Sequence, residues 1–541
     1  MPTHPTLSRL LLLGLLALAA RPTRAQAPLT PEQVRRWQHL DWKADGVPGI
    51  SADRAYLELL KGRPATPVLV AVIDSGIDST QEDLKAVLWR NPREVAGNGL
   101  DDDHNGYVDD VRGWSFLGGP DGRNIVVETL EQTRIYGQYR VQFEGKKRKQ
   151  VPAADREKFD LYERAKASYE KDRLAEQERL THLTDAQAKN GEIFDRLKQA
   201  LRVATLDSAL LRRTATTHPE LPEAGAVLAY LRRAGYATDA EASQGLAEAL
   251  QRSRDRVEKS LNPDYNPRAL VGDHPADLTE SHYGNPDSQG PNASHGTHCA
   301  GIIGGVRGNG LGADGIADAV RIMSVRSTPS GDERDKDVAN AIRYAVDNGA
   351  QIISMSFGKD FSPDKAVVDA AMRYAADKGV LLVHAAGNSG DNTDQTAHYP
   401  SPQYLGGRDI PNLITVGASS RHNTAELAAS FSNYGRKTVD VFAPGVDIYS
   451  STPHNTYAVF SGTSMAAPVV AGEAAVLKAY FPQLTAAQLK QLILQSVVPF
   501  HTQVQQPGGK VLVDFDTLSR TGGIVNLYQA VLLAQQLTAV K

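Results

Sequence analysis

A carboxylate, two imidazoles, an amide and a hydroxyl stand out along this chain, each set among small residues. Asp74 lies in Val72-Ile73-Asp74-Ser75-Gly76, where an apolar run meets a turn. A carboxylate at the carboxyl end of a parallel strand sits where such sheets gather their active sites. Taken alone, it reads as well as a turn-capping aspartate. His295 lies in Ser294-His295-Gly296-Thr297-His298-Cys299-Ala300-Gly301, and an imidazole is the commonest general base. His295 and His298 at i, i+3 invite comparison with zinc ligands, but a zinc helix uses i, i+4 with a glutamate between. Asn388, in Ala385-Ala386-Gly387-Asn388-Ser389-Gly390, follows another apolar run. Its amide can donate to a developing oxyanion, or simply close a loop. Ser464, in Gly462-Thr463-Ser464-Met465-Ala466-Ala467-Pro468, opens an apolar helix. There it would feel the positive end of the helix dipole. Pro468 is expected in the first turn, where a missing N–H costs little. The flanks of Ser464 are not the Gly-x-Ser-x-Gly of an α/β-hydrolase elbow. Hydroxyl, base and carboxylate together equip a chain for nucleophilic acyl transfer.

These segments occur in the order Asp, His, Ser, 221 and 169 residues apart. That order and the residues around each member resemble the subtilase family of serine proteases. Ser354-Met355-Ser356-Phe357-Gly358, Phe431-Ser432-Asn433-Tyr434-Gly435 and Ala443-Pro444-Gly445 are similar to further stretches of that family. The resemblance covers roughly residues 65–120 and 265–535. It implies a subtilisin-like three-layer α/β fold with a mostly parallel central sheet, and endopeptidase activity on protein or peptide substrates. It also implies roles. Ser464 is the nucleophile, His295 the base and later the acid, and Asp74 the group that holds the imidazole. The Asn388 side chain and the Ser464 backbone N–H would meet the oxyanion. His298 and Cys299 are expected to be structural. Ser356, Phe357 and Gly358 resemble the edge to which a substrate strand adds, with Gly358 and Gly387 leaving room for the residue before the scissile bond. Lys359 stands where many relatives have glycine and is expected to be solvated. Two rival readings share these residues: an acyl hydrolase acting on esters, and a scaffold that binds peptides without cutting them.

Asp101-Asp102-Asp103-His104-Asn105-Gly106-Tyr107-Val108-Asp109-Asp110 suggests a metal. Asp101, Asp103 and Asn105 take positions 1, 3 and 5 of a calcium-loop pattern, Tyr107 offers its carbonyl at 7, and Asp109 stands at 9. Arg112 occupies position 12, where an EF-hand has glutamate, so the loop is incomplete as such. Structural Ca²⁺ is the expectation, because crowded carboxylates repel one another without a cation.

The elements that must position these groups can be read from the pattern around them. Val68–Ile73 is a continuous Val/Ile-rich run, the signature of a strand buried on both faces. Further apolar runs at 319–325, 351–355, 380–385, 413–416 and 439–442 alternate with helix-like segments, which predicts a parallel sheet covered on both sides. Between residues 124 and 260 the chain becomes rich in Glu, Lys, Arg, Gln and Ala and reads as an inserted helical module. Within it, Asp160 and Arg164 are spaced to pair at i, i+4, and Arg156–Leu180 shows only a thin apolar stripe. The predicted organisation is a signal peptide at 1–27, an N-terminal extension at 28–65, a first catalytic part at 66–123, the insertion at 124–260 and a second catalytic part at 261–541. Arg9, the apolar stretch Leu10–Ala20 and the small residues Ala25 and Ala27 make the leader. It is too short to span a bilayer. The protein is therefore expected to be exported, secreted or periplasmic, with no membrane span after cleavage. The 28–65 extension looks too short for the folded inhibitory domain with which a subtilase usually begins. Cys299 is the sole cysteine, which excludes an intrachain disulfide. A net charge of −4 gives no sign of a nucleic-acid partner. Oligomeric state is left open. The insertion's setting is similar to that of an exported subgroup common in Bacteroidetes-type bacteria.

Overall fold

A computed structural model describes residues 29–539; the leader expected at 1–27 lies outside them. Its centre is a nine-stranded sheet. In chain order the strands are β1 (Val68–Asp74), β2 (Gly113–Ser115), β3 (Val320–Arg326), β4 (Ile352–Met355), β5 (Leu381–Ala385), β6 (Leu413–Ser419) and β7 (Val441–Pro444). Two hairpins follow, β8 (Ile448–Thr452) with β9 (Thr456–Phe460) and β11 (Gln503–Gln505) with β12 (Leu512–Asp514). The short β10 (Val498–Pro499) and β13 (Gly523–Ile524) complete the sheet. Across it the order is β10-β13-β7-β6-β5-β4-β1-β3-β2, parallel throughout except for β10.

Parallel neighbours need crossovers, and helices supply them on both faces. Three short helices come first, α1 (Pro31–Arg35), α2 (Trp42–Asp45) and α3 (Ala52–Ala55). The next five follow β2 directly: α4 (Glu131–Phe143), α5 (Arg156–Leu201), α6 (Ser208–Thr217), α7 (Glu223–Ala234) and α8 (Asp239–Asp255). The remainder are α9 (Ser294–Gly304), α10 (Asp335–Asp347), α11 (Lys365–Asp377), α12 (Thr463–Tyr480), α13 (Ala486–Gln495) and α14 (Leu527–Ala539). Side chains of a strand alternate between faces, and β1 divides accordingly. Val68, Val70 and Val72 join the core made with α9, α12, α13 and α14. Ala71 and Ile73 join the opposite core, made with α10 and α11.

The sheet order places β1, β4 and β5 side by side. Their carboxyl ends therefore bring Asp74, the 356–358 segment and the 387–388 turn to one edge. Helices α9 and α12, which carry His295 and Ser464, belong to the same layer over that edge.

Helix α5 runs for 46 residues, roughly 70 Å at 1.5 Å per residue. It buries aromatic residues near its start, Phe159, Tyr162 and Tyr169, and Phe194 with Leu197 near its end. The first group packs in small clusters with Phe143, Val151, Leu130 and Leu261, and the second builds a separate core with Leu206, Leu211, Val227 and Leu231. Asp160 pairs with Arg148 at 2.7 Å, so the expected partner Arg164 is displaced by a cross-turn contact. No helix among the described residues is long and apolar enough to cross a membrane.

Candidate active site

Asp74 ends β1 and is 1% exposed. His295 stands in the first turn of α9, and its Nδ1 lies 2.8 Å from Asp74 Oδ1 and 3.0 Å from Oδ2. With its proton on Nδ1, donated to the carboxylate, the ring keeps a lone pair on Nε2. Gly296 makes this approach possible, since a Cβ there would collide with the Gly76 carbonyl oxygen. Thr297 pins the helix further by accepting from the Asp78 N–H at 2.9 Å. Burial works against a charged imidazole at His295, but the neighbouring Asp74 carboxylate outweighs it and holds the pKa well above its usual value. His298 goes the other way. Its Nε2 meets the Ala458 carbonyl of β9 at 3.1 Å, its ring stacks on Phe460, and burial lowers its pKa to about 4.

Ser464 is the second residue of α12. Its Oγ donates to the Ser356 carbonyl oxygen at 3.1 Å, and among the described residues it makes no hydrogen bond to His295. Pro468 lies in the second turn of α12, deeper than expected. Its missing N–H is the one that would bond the carbonyl of Ser464, four residues back. That carbonyl instead accepts from Ser356 Oγ at 2.9 Å and from Cys299 Sγ at 3.4 Å. The same sulfur lies 3.9 Å from His295 Nδ1, so Cys299 packs between the serine and the histidine. Burial pushes its thiol pKa up, the condition of an unreactive thiol.

Asn388 follows β5. Its Oδ1 accepts from the Thr463 N–H at 2.8 Å and from Thr463 Oγ1 at 2.9 Å. That leaves the amide nitrogen as the outward end of the side chain. A Cβ built on Gly462 would lie 3.6 Å from the Ser464 nitrogen and 3.7 Å from Asn388 Nδ2. Two N–H donors thus front one space that glycine leaves empty.

Two depressions meet along the 356–358 edge. One, of about 410 Å³, is lined by Ser464, Asn388, Gly387, Phe357 and Gly358 among others. The other, of about 260 Å³, is lined by Asp74, His295, Ser356, Phe357 and Gly358. Both also touch Gly331, in the loop after β3.

Residues 66–515 match the family described as the Subtilase family. This chain belongs to the subtilase family. Similar curated proteins include a thermophilic serine proteinase of Bacillus sp. (strain AK1), 40% identical over 40% of this chain and 48% of its own length. Thermitase of Thermoactinomyces vulgaris is 42% identical over 34% of this chain and 60% of its own. Subtilisin of Bacillus pumilus is 36% identical over 43% of this chain and 77% of its own. The matched stretch thus spans about half the length of the first of these relatives.

In this subtilase Lys359 is not solvated, contrary to expectation. It is 5% exposed, and its Nζ is held by Glu131 Oε2 at 2.7 Å, Asp335 Oδ1 at 2.9 Å and the Glu333 carbonyl at 2.8 Å. Glu131 belongs to α4, so the helical segment is fastened by a buried ion cluster directly beside the cleft. Arg134 of α4 joins it, bonding Glu131 at 2.6 Å.

The acidic loop is rearranged relative to its pattern. Carboxylate oxygens of Glu94, Asp101 and Asp103 lie within 4.8 Å of one another. Asp109 faces elsewhere: its two oxygens accept from the Gly97 and Gly99 N–H groups at 2.7 and 2.9 Å. Asn105 Oδ1 accepts from the Tyr107 N–H at 2.8 Å. Glu94 was not legible as a candidate, because it lies outside the pattern and reaches the loop only through the fold. It is 5% exposed, and its Oε2 has no hydrogen-bond partner among the described residues.

Proposed function

We propose that this subtilase is an exported serine endopeptidase that hydrolyses peptide bonds through Asp74, His295 and Ser464. The observation that carries the reading is the bidentate approach of the Asp74 carboxylate to His295 Nδ1, at the same edge as Ser464 and Asn388. It leaves Nε2 as the free base. Ser464 Oγ must leave the Ser356 carbonyl to meet that nitrogen; hydrogen bonds of this kind often tighten only when substrate is bound. As Oγ attacks the carbonyl carbon, its proton passes to Nε2, and Asp74 stabilises the imidazolium. The oxyanion is met by Asn388 Nδ2 and the Ser464 N–H. The imidazolium then protonates the leaving amine. Water, activated by the same imidazole, releases the acyl group from Ser464. The substrate backbone is held along Ser356–Gly358, as an added strand.

The unpaired, buried Glu94 oxygen beside Asp101 and Asp103 fits a hard cation that takes oxygen ligands. Glu94, Asp101 and Asp103 would hold Ca²⁺, with Asn105 and the Tyr107 carbonyl next in the loop. The ion would neutralise the cluster and fix the loop, a structural role. Asp109 is left to shape the turn. Chelation of calcium should lower the melting temperature, and Glu94→Gln should raise the calcium concentration needed to restore it; an unchanged melting curve in EDTA removes this assignment.

The test of the activity is direct. The mature protein and its Ser464→Ala variant are incubated with casein and with a fluorophosphonate probe. Cleavage and labelling by the first and neither by the second are expected. A wild-type protein that does neither ends the endopeptidase reading, and ester hydrolysis without peptide cleavage redirects it to an acyl hydrolase.

A further inference from the structure

The cavity that opens at Ser464 and Asn388 has an unusual floor and an unusual far wall. The floor is His398. A Cβ built on Gly387 would lie 2.8 Å from His398 Nε2, and one built on Gly358 would collide with it. The imidazole therefore occupies the gap between the two glycines, where a flat aromatic side chain would otherwise slide in. It also lines a second cavity of about 560 Å³ on its other side, so it is a partition and not part of a solid base. Its Nδ1 faces Asp360 Oδ1 at 3.8 Å, while Nε2 is buried and has no partner among the described residues. A proton on Nδ1, toward the carboxylate, leaves Nε2 as an acceptor in want of a donor.

With the direct slot closed, the open volume of about 410 Å³ extends to a wall supplied partly by the helical segment. The charged groups lining the cavity are Asp172, Arg256, Asp332, Lys359, Asp360 and His398. Of the cations, Lys359 spends its ammonium on Glu131, Asp335 and the Glu333 carbonyl, and Arg256, 42% exposed, meets Glu176 through Nε alone at 3.5 Å. Among the carboxylates, Asp172 accepts from Gln132 at 3.0 Å, Asp332 accepts from the Glu131 N–H at 2.8 Å with Arg134 and Lys359 nearby, and Asp360 stands exposed at the rim. A long, flexible cation suits such a space. Its stem can pass over the imidazole, and its head can reach the carboxylates.

We infer that this cavity receives the side chain before the scissile bond and selects lysine or arginine there, with His398 excluding flat aromatic side chains and Asp172 and Asp332 holding the charge. The inference rests on the endopeptidase reading. The experiment uses the full mature protein and a peptide library varied at that one position, read by mass spectrometry. Fluorophosphonate labelling of Ser464 runs in parallel. At least a tenfold higher kcat/KM for arginine or lysine than for phenylalanine or leucine is expected. Labelling with a preference for apolar or acidic residues overturns this inference and leaves the endopeptidase reading intact; neither labelling nor cleavage sinks both. Asp172→Asn, on the surface of α5, should lower the arginine-to-phenylalanine ratio several-fold through KM, and Asp332→Asn should do so more strongly. His398→Gly should raise kcat/KM for phenylalanine about tenfold by opening the partition. Should Asp332→Asn fail to fold, the other two variants still decide, and an unchanged ratio in both counts against the inference.

Discussion

The His295 imidazole is subject to opposed influences, burial against its charge and Asp74 in favour of it, and Asp74 prevails. A base works only when deprotonated. So kcat/KM should rise with pH through a midpoint above 6.5, and Asp74→Asn should lower kcat by about 10⁴-fold. The same raised pKa has a stability consequence. The charged pair stabilises the fold fully below pH 6.5, and that contribution is lost as pH rises through the folded-state value. Denaturant titrations of Ser464→Ala between pH 6 and 9 would show it. Glu473 of α12 offers a cleaner case. It is fully buried, neither oxygen has a partner among the described residues, and burial pushes its pKa up to about 8. The folded state thus holds a proton that the unfolded state releases above about 4.5, so stability should fall as pH climbs from there toward 8. Glu473→Met should recover on the order of 1–3 kcal/mol at pH 8 and less at pH 5. Equal gains at both pH values would contradict the neutral buried carboxyl.

At the scale of elements, α4 is coupled to the cleft by the Lys359 ammonium, by the Glu131 N–H on Asp332 and by Arg134 on the Asp332 and Glu333 carbonyls. Burial raises the Glu131 pKa, yet Arg134 and Lys359 beside it hold the carboxyl down at about 2. A depressed carboxyl stabilises the fold above its unfolded value and loses that contribution as pH falls toward 2. Lys359→Met leaves Asp335 without this cation and Glu131 with Arg134 alone. It should cost about 3–5 kcal/mol at pH 7 and less at pH 3, as judged by urea melts on the Ser464→Ala background. This cluster also explains where the amino-acid sequence stopped being legible. The run Val68–Ile73 announces its strand because burial on both faces writes itself into consecutive residues. The turns carrying Asp74, His295, Asn388 and Ser464 are local, and so were readable. Lys359 looked like a solvated cation because its partner Glu131 lies 228 residues upstream. His398 is silent because Gly358 and Asp360, which it meets, are distant in sequence, and Glu94 because it lies just outside the calcium-loop pattern, eight and nine residues before the N–H groups it accepts from. Pro468 sits a turn deeper in α12 than its motif suggests, because a serine freed of its helical acceptor duty has no local signature.

For the molecule as a whole, the question is what the residues before β1 do. Trp37, Ile50, Ala52, Ala55 and Leu60 are buried in the same core as α12 and α14. The Trp37 indole donates to the Val446 carbonyl at 3.1 Å, the Leu527 N–H to the Ile50 carbonyl at 2.8 Å, and Asn526 to Ser51 Oγ at 2.7 Å. None of the residues lining the two depressions at the 356–358 edge comes from this stretch. A detachable inhibitor would show the opposite pattern, a cleft contact and a weak hold on the core. The 29–60 segment is thus one body with the fold. Removing a buried indole leaves a cavity and an unsatisfied carbonyl, so Trp37→Ala should lower stability by about 3–5 kcal/mol while the unfolding transition stays single. A synthetic peptide of residues 29–60 added to the mature protein should leave casein cleavage unchanged. Inhibition by that peptide, or a Trp37→Ala protein that melts like the parent, would mean that the segment is held more loosely than its contacts require.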